Sequence, residues 1–194
     1  MTRRPGPSGA VSADEPVETA PADGPLVVLI GTMGAGKSSV GRALARLSGS
    51  AFHDTDDAVV QAAGTSIAEL FRTRGEACFR ALERDMVAAA LRERSGVVAL
   101  GGGAPMRADN RAALAAYRAR GGTVVCLEVS LEGVAARVAL DDSRPMLAGD
   151  ALARWAALWD ERRPVFRSVA DLQISTDAKT PAETAAEIAR RLGF

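Results

Sequence analysis

The stretch Gly31-Thr32-Met33-Gly34-Ala35-Gly36-Lys37-Ser38 fits the phosphate-loop pattern G-x-x-x-x-G-K-[ST] at every fixed position. Its flanks constrain the fold further. Leu26 to Ile30 is a short apolar run suited to a buried strand, and Ser39 to Leu47 has helical spacing, with Val40, Leu44 and Leu47 on one face. In such a strand–loop–helix unit the glycines let backbone N–H groups turn toward phosphates, and the helix N-terminus adds partial positive charge. Lys37 is suited to the β- and γ-phosphates and the Ser38 hydroxyl to Mg2+. Gly34, Ala35, Gly36, Lys37, Ser38 and Ser39 are therefore the expected phosphate ligands. The loop says nothing about the acceptor.

Beyond the loop, apolar runs alternate with helical patterns. Strands are expected at Ala51–Asp57 (short, ending in acids), Val97–Leu100, Thr123–Val129 and Leu172–Ser175. Helices are expected up to Ala63, over Ile67–Arg72, Gly75–Arg94, Ala108–Ala119, Leu131–Leu140 and Ala151–Arg163, the last limited by Pro164. A final helix opens at Thr180-Pro181-Ala182-Glu183, with cap, N1 proline and N3 glutamate. The alternation predicts an α/β fold: a three-layer α-β-α arrangement around a central five-stranded parallel sheet. Right-handed crossovers put every strand-to-helix loop at one edge. Residues 1–25, rich in Pro, Gly and Ala, read as a disordered tail; residues 26–194 read as one domain, with a mobile lid at about 141–150.

Composition narrows the classes. Lys plus Arg equals Asp plus Glu at 24 each, so no global field recruits nucleic acid or anionic membrane. No run approaches the ~20 apolar residues of a membrane span. Cys78 and Cys126 make neither a metal-ligand spacing nor a disulfide framework, which suits a reducing cytoplasm. A monomer is expected, with no nucleic-acid or membrane partner.

Several residues should share the cleft. Residues two apart on an extended segment face the same way, so Asp54 and Asp56 can both do so. Asp54 would hold Mg2+ through water, and Asp56 would orient or deprotonate a substrate hydroxyl; the alternative is an acidic cap for the following helix. Glu76, Arg80 and Glu83 lie at i, i+4 and i+7, either as a surface ladder or as an arginine held to grip a carboxylate. Gly101-Gly102-Gly103 would let a ligand reach the main chain, and Arg144 is a candidate lid arginine. Arg162 is either a second carboxylate clamp or part of a charged helix end. Arg137 and Lys179 are further candidates, around an adenine.

Taken together, the phosphate loop with Val40-Gly41-Arg42, Asp54-Thr55-Asp56, Gly75-Glu76 with Phe79-Arg80 and Glu83, Leu100 to Ala104, Arg144-Pro145-Met146-Leu147 and Arg162 to Phe166 resemble shikimate kinase in order and spacing. The resemblance spans about Leu26 to Leu192. It implies ATP-dependent, Mg2+-dependent phosphorylation of the shikimate 3-hydroxyl. It also implies Asp54 near Mg2+, Asp56 on substrate hydroxyls, Arg80 and Arg162 on the substrate, Gly101–Gly103 in the same pocket, Arg144 in the lid and Arg137 near adenine. Ser39, Met146 and Val165-Phe166 stand where the family more often has Thr, Leu and Leu-Tyr. A gluconate kinase, the runner-up, would share the loop but lack the combined blocks.

Overall fold

The computed structural model describes residues 24–139 and 150–194. Strand β1 (Val27–Gly31) is buried along its whole length, as an unbroken apolar run with covered faces on both sides must be. It is the middle of a five-stranded sheet in the order β2-β3-β1-β4-β5, with β2 at Phe52–Asp54, β3 at Val97–Ala99, β4 at Val124–Glu128 and β5 at Leu172–Ser175. Every pairing is parallel. Strands β3 and β4 flank β1 and are almost fully buried, whereas the edge strands β2 and β5 are only partly covered.

Helix α1 (Lys37–Leu47) follows β1 directly. α2 (Thr55–Ala63) and α3 (Ile67–Glu93) lie between β2 and β3. The two helices expected around Gly75 run together as α3, with a break at Gly75, whose φ of 77° and ψ of 172° are non-helical. Ser66 caps α3 by accepting the Glu69 N–H. A 3-10 turn (Ala104–Met106) and α4 (Ala108–Ala119) lead from β3 to β4. α5 (Leu131–Ala139) and α6 (Asp150–Val169) lie before β5. α7 (Pro181–Leu192) closes the chain against α1, and its expected capping box is formed in both directions.

Two expectations change. The helix that Pro164 should have limited continues to Val169. Proline removes one N–H from the ladder, but Phe166 and Val169 are buried, and Phe166 meets Trp159 edge-on with ring centroids 5.4 Å apart. That packing outweighs one lost hydrogen bond. The acidic stretch after β2 is not extended either: the strand stops at Asp54 and α2 begins at Thr55. The expected lid at 141–150, with Arg144, lies outside the described residues except for Asp150, which opens α6.

The main core joins both faces of the sheet, from Val40 and Leu44 on α1 to Leu114 and Tyr117 on α4. Val59, Leu70 and Phe79 form a smaller one between α2 and α3. Cys78 and Cys126 are both free, and burial pushes the Cys126 thiol up to about 12, leaving it inert at neutral pH. Among the described residues no helix is long and apolar enough to cross a membrane.

Candidate active site

The loop after β1 is shaped by backbone conformations that only glycine adopts readily: Gly34 and Gly36 both have φ of 86°. Gly36 is the N-cap of α1, with no side chain capping the helix and no acid in its first turn. Ordinary helices fill that position with Ser, Asp or Asn; here the first-turn N–H groups remain for an anion. The half-buried Lys37 reaches back over the loop, its Nζ donating to the Gly31 carbonyl at 2.9 Å and the Thr32 carbonyl at 3.1 Å. Burial lowers the pKa of its ammonium, while Asp56 and Asp54 act in the opposite sense.

Ser38, one residue on, donates its hydroxyl to Asp54 Oδ2 at 2.7 Å. The other oxygen of Asp54, Oδ1, accepts the Asp56 N–H at 3.0 Å and caps α2. The sequence set a role at Mg2+ against a helix cap for this acid; the cap is formed, and the same carboxylate also accepts from Ser38. Asp56 is the second residue of α2, inside its first turn, and not two residues along a strand. Burial first, then the Asp54 carboxylate and to a lesser degree Glu83, raise its pKa to about 6 against the pull of Lys37.

The glycine turn after β3 is tightest at Gly101. A Cβ there would stand 2.5 Å from Asp56 Oδ1 and 3.1 Å from Glu83 Oε1. The Gly101 N–H donates to Thr55 Oγ1 at 3.0 Å, tying the glycine turn to the start of α2. A Cβ at Gly102 would approach the Met33 backbone and Lys37 Nζ, and one at Gly103 would lie 3.1 Å from Arg80 Nη1. Gly101 and Gly103 therefore leave the space that Asp56 and Arg80 occupy, and Gly102 lies in ordinary contact with the phosphate loop. Arg80 is held by Glu76 (3.2 Å) and by Glu83 (2.9 Å), which is buried. A buried carboxylate is sustained only by a partner such as this.

Lys37, Ser38, Asp56, Arg80, Glu83, Gly102 and Gly103 line one cleft of about 680 Å3, together with Arg162 from α6, Arg137 from α5, Phe79 and Trp155. A smaller pocket of about 190 Å3 lies behind the loop, lined by Gly36, Arg137, Thr176, Lys179, Pro181 and Thr184. Arg137 spans the two, donating to Gly34 O at 2.6 Å and to Thr176 O at 2.7 Å. Lys179 also reaches this pocket, while its Nζ is bonded to Glu187 at 2.7 Å. Every expected site residue within the described chain reaches the cleft or the pocket behind it, except Asp54 and Gly101, which lie directly behind Ser38 and Asp56.

Sequence reasoning missed Thr55, Thr176 and Trp155. Thr55 was hidden between two acids, although a β-branched hydroxyl at a strand-to-helix junction is a common hydrogen-bond partner. Trp155 lies seven residues before Arg162, the spacing of one helical face, but an aromatic at such spacing reads as core. Its Nε1 donates to Met33 O at 3.1 Å.

The shikimate kinase family model matches residues 33–193. The chain belongs to the shikimate kinase family. It is 49% identical over 168 residues to the shikimate kinase of Thermobifida fusca, covering 87% of this chain and 95% of that one. It is 47% identical to that of Salinispora arenicola, covering 87% and 98%. Among solved structures, shikimate kinase from Acinetobacter baumannii in complex with shikimate superposes with a TM-score of 0.74 at 31% identity, covering 89% of this chain and 94% of that one. A gluconokinase from Sinorhizobium meliloti reaches 0.50 at 21% identity, with 87% and 95% covered, and so shares the fold alone. The runner-up reading thus has the architecture in common with this shikimate kinase family member, and not the family.

Proposed function

We propose that the protein transfers the γ-phosphoryl group of ATP to the 3-hydroxyl of shikimate, giving shikimate 3-phosphate. The observation that carries this reading is the single cleft in which Arg80, braced by buried Glu83, and Asp56 face the phosphate loop across glycines. An acceptor with a carboxylate at one end and hydroxyls at the other needs an arginine fork and an acid separated in this way.

The donor half comprises Gly34, Ala35, Gly36, Lys37, Ser38 and Ser39 around the phosphates, with Arg137 and Lys179 at the adenine side. Lys37 neutralises charge on the β- and γ-phosphates. In the acceptor half, Arg80 and Arg162 clamp the carboxylate and Gly101–Gly103 let the ring approach. Asp56, ionised near neutral pH with a raised pKa, accepts the hydrogen bond of the attacking hydroxyl and orients it. Arg144, outside the described residues, is assigned from the sequence to close over the transferring group from the lid at 141–150. Catalysis by such a site is mainly positioning and charge neutralisation.

Mg2+ fits beside Ser38 and Asp54. Their paired oxygens are hard ligands, and the described residues contain no group of three or more His, Cys, Asp or Glu able to cage a metal by themselves. That donor set suits an ion that takes most of its ligands from phosphates and water. Ser38 and Asp54 would hold the ion, which would supply positive charge to offset that of the phosphates. We take the setting to be a cytoplasmic monomer; the formal net charge of zero supports the part of this reading that leaves out a nucleic-acid or anionic-membrane partner. Residues 1–25 would be a tail ahead of the catalytic domain at 26–194, except that its end is part of the fold: Pro25 is buried and its carbonyl accepts the Tyr117 hydroxyl at 2.9 Å.

The test is ATP consumption with shikimate, gluconate or a nucleoside monophosphate as acceptor. Stimulation by shikimate, abolished by EDTA and restored by Mg2+, is expected. Stimulation by gluconate alone would overturn the assignment.

A further inference from the structure

The carbonyls of the phosphate loop are taken in turn by donors. Lys37 Nζ takes those of Gly31 and Thr32, Arg137 Nη1 takes that of Gly34, and between them the indole N–H of Trp155 takes that of Met33 at 3.1 Å. In a trans peptide the C=O and the following N–H point in opposite directions. A donor fixed on the Met33 carbonyl therefore fixes the direction of the Gly34 N–H, in a loop whose amides must face an anion. Trp155 suits this task because it is held: only 6% of it is exposed, and its ring belongs to the main core. Along with Leu158 and Arg162 it lines the cleft from one face of α6.

We propose that Trp155 is a positioning residue for the nucleotide half of the reaction, its indole N–H setting the orientation of the Met33–Gly34 peptide. This rests on the kinase reading above. If Trp155 served only as core, removing its N–H while keeping an aromatic ring would lower stability without singling out either substrate.

Trp155→Phe makes that change. The net worth of one neutral hydrogen bond corresponds to about a five-fold effect. The KM for ATP, and the Kd of a non-hydrolysable ATP analogue by calorimetry, should rise about that much, while shikimate affinity measured without nucleotide stays put. An unchanged nucleotide Kd would overturn the proposal, as would parallel weakening of both ligands with a lowered Tm. Should Trp155→Phe fail to fold, Trp159→Phe leaves Trp155 as the sole indole. Its emission should then respond to the ATP analogue and not to shikimate alone; no response to the analogue would refute the role. Wild-type turnover with ATP and shikimate is measured first. Its absence would sink the kinase reading itself, whereas a variant with normal nucleotide binding sinks only the part given to Trp155.

Discussion

Asp56→Asn should make the free protein more stable and nearly inactive. Burial and the neighbouring Asp54 carboxylate raise the Asp56 pKa from its usual 3.8 to about 6 in the folded chain. The native state therefore binds this proton more tightly than the unfolded chain does, and stability falls as pH rises from 3.8 through about 6. Above that window both states are ionised and the fold bears the full difference, at most about 3 kcal/mol. Asparagine has nearly the same shape and no charge, so at pH 7 it should recover much of this, a rise in Tm on the order of 10 °C. Below pH 3.8 aspartate is protonated in both states and the substitution should be close to neutral. The assay is denaturant unfolding of both proteins without nucleotide and with EDTA, at pH 7.5, 6 and 4.5, beside turnover at pH 7.5. A gain that shrinks with falling pH, together with a large loss of kcat, is expected. A destabilised variant at pH 7.5, or a gain equal at all three pH values, would refute the electrostatic account; near-normal turnover would refute the role in orienting the hydroxyl.

Two further substitutions probe the two halves separately. Arg80→Ala should weaken shikimate binding at least about ten-fold, as loss of a charge-assisted fork implies, and leave the ATP affinity measured by calorimetry unchanged. It should also destabilise the fold by about 3 kcal/mol, because buried Glu83 loses its partner; an unaltered shikimate Kd would return Arg80 to a surface ladder. Ser38→Ala should raise the Mg2+ concentration needed for half-maximal turnover several-fold by removing a hydroxyl oxygen worth about 1 kcal/mol. An unchanged Mg2+ titration would count against Ser38 and Asp54 as the metal's protein contacts.

The sheet was legible because its signals are local. The apolar runs of β1, β3 and β4 needed only their length and their glycine boundaries, and the capping box of α7 is written in four consecutive residues. Where the reading failed, a distant contact decided. Pro164 stops helices in isolation, but the burial of Phe166 and Val169 lies in the tertiary fold. Asp54 carries the same residue letter whether it caps a helix or accepts from Ser38, and only the arrival of α1 beside β2 makes it do both. The phosphate loop was recognisable from its own residues, while its carbonyl partners Arg137 and Trp155 come from more than a hundred residues away, and no spacing rule reaches that far.

The acceptor side is assembled from groups that a stable core would avoid. Asp54, Asp56 and Glu83 bring three carboxylates around a turn with room for no side chain at Gly101, and the cations close by are Lys37 and Arg80. Glu83 is neutralised by Arg80, and Asp54 is engaged by Ser38 and the start of α2. Asp56 is left as the acid whose charge the fold compensates least. That imbalance is what raises its pKa, and a raised pKa is what makes it a better proton acceptor than an ordinary surface aspartate. The same geometry explains the glycines. Alanine at Gly101 would push against the Asp56 carboxylate, so the turn must stay bare for the acid to stand where a hydroxyl can meet both it and the phosphate loop. Local instability at Asp56 and the capacity to orient a hydroxyl therefore have one cause.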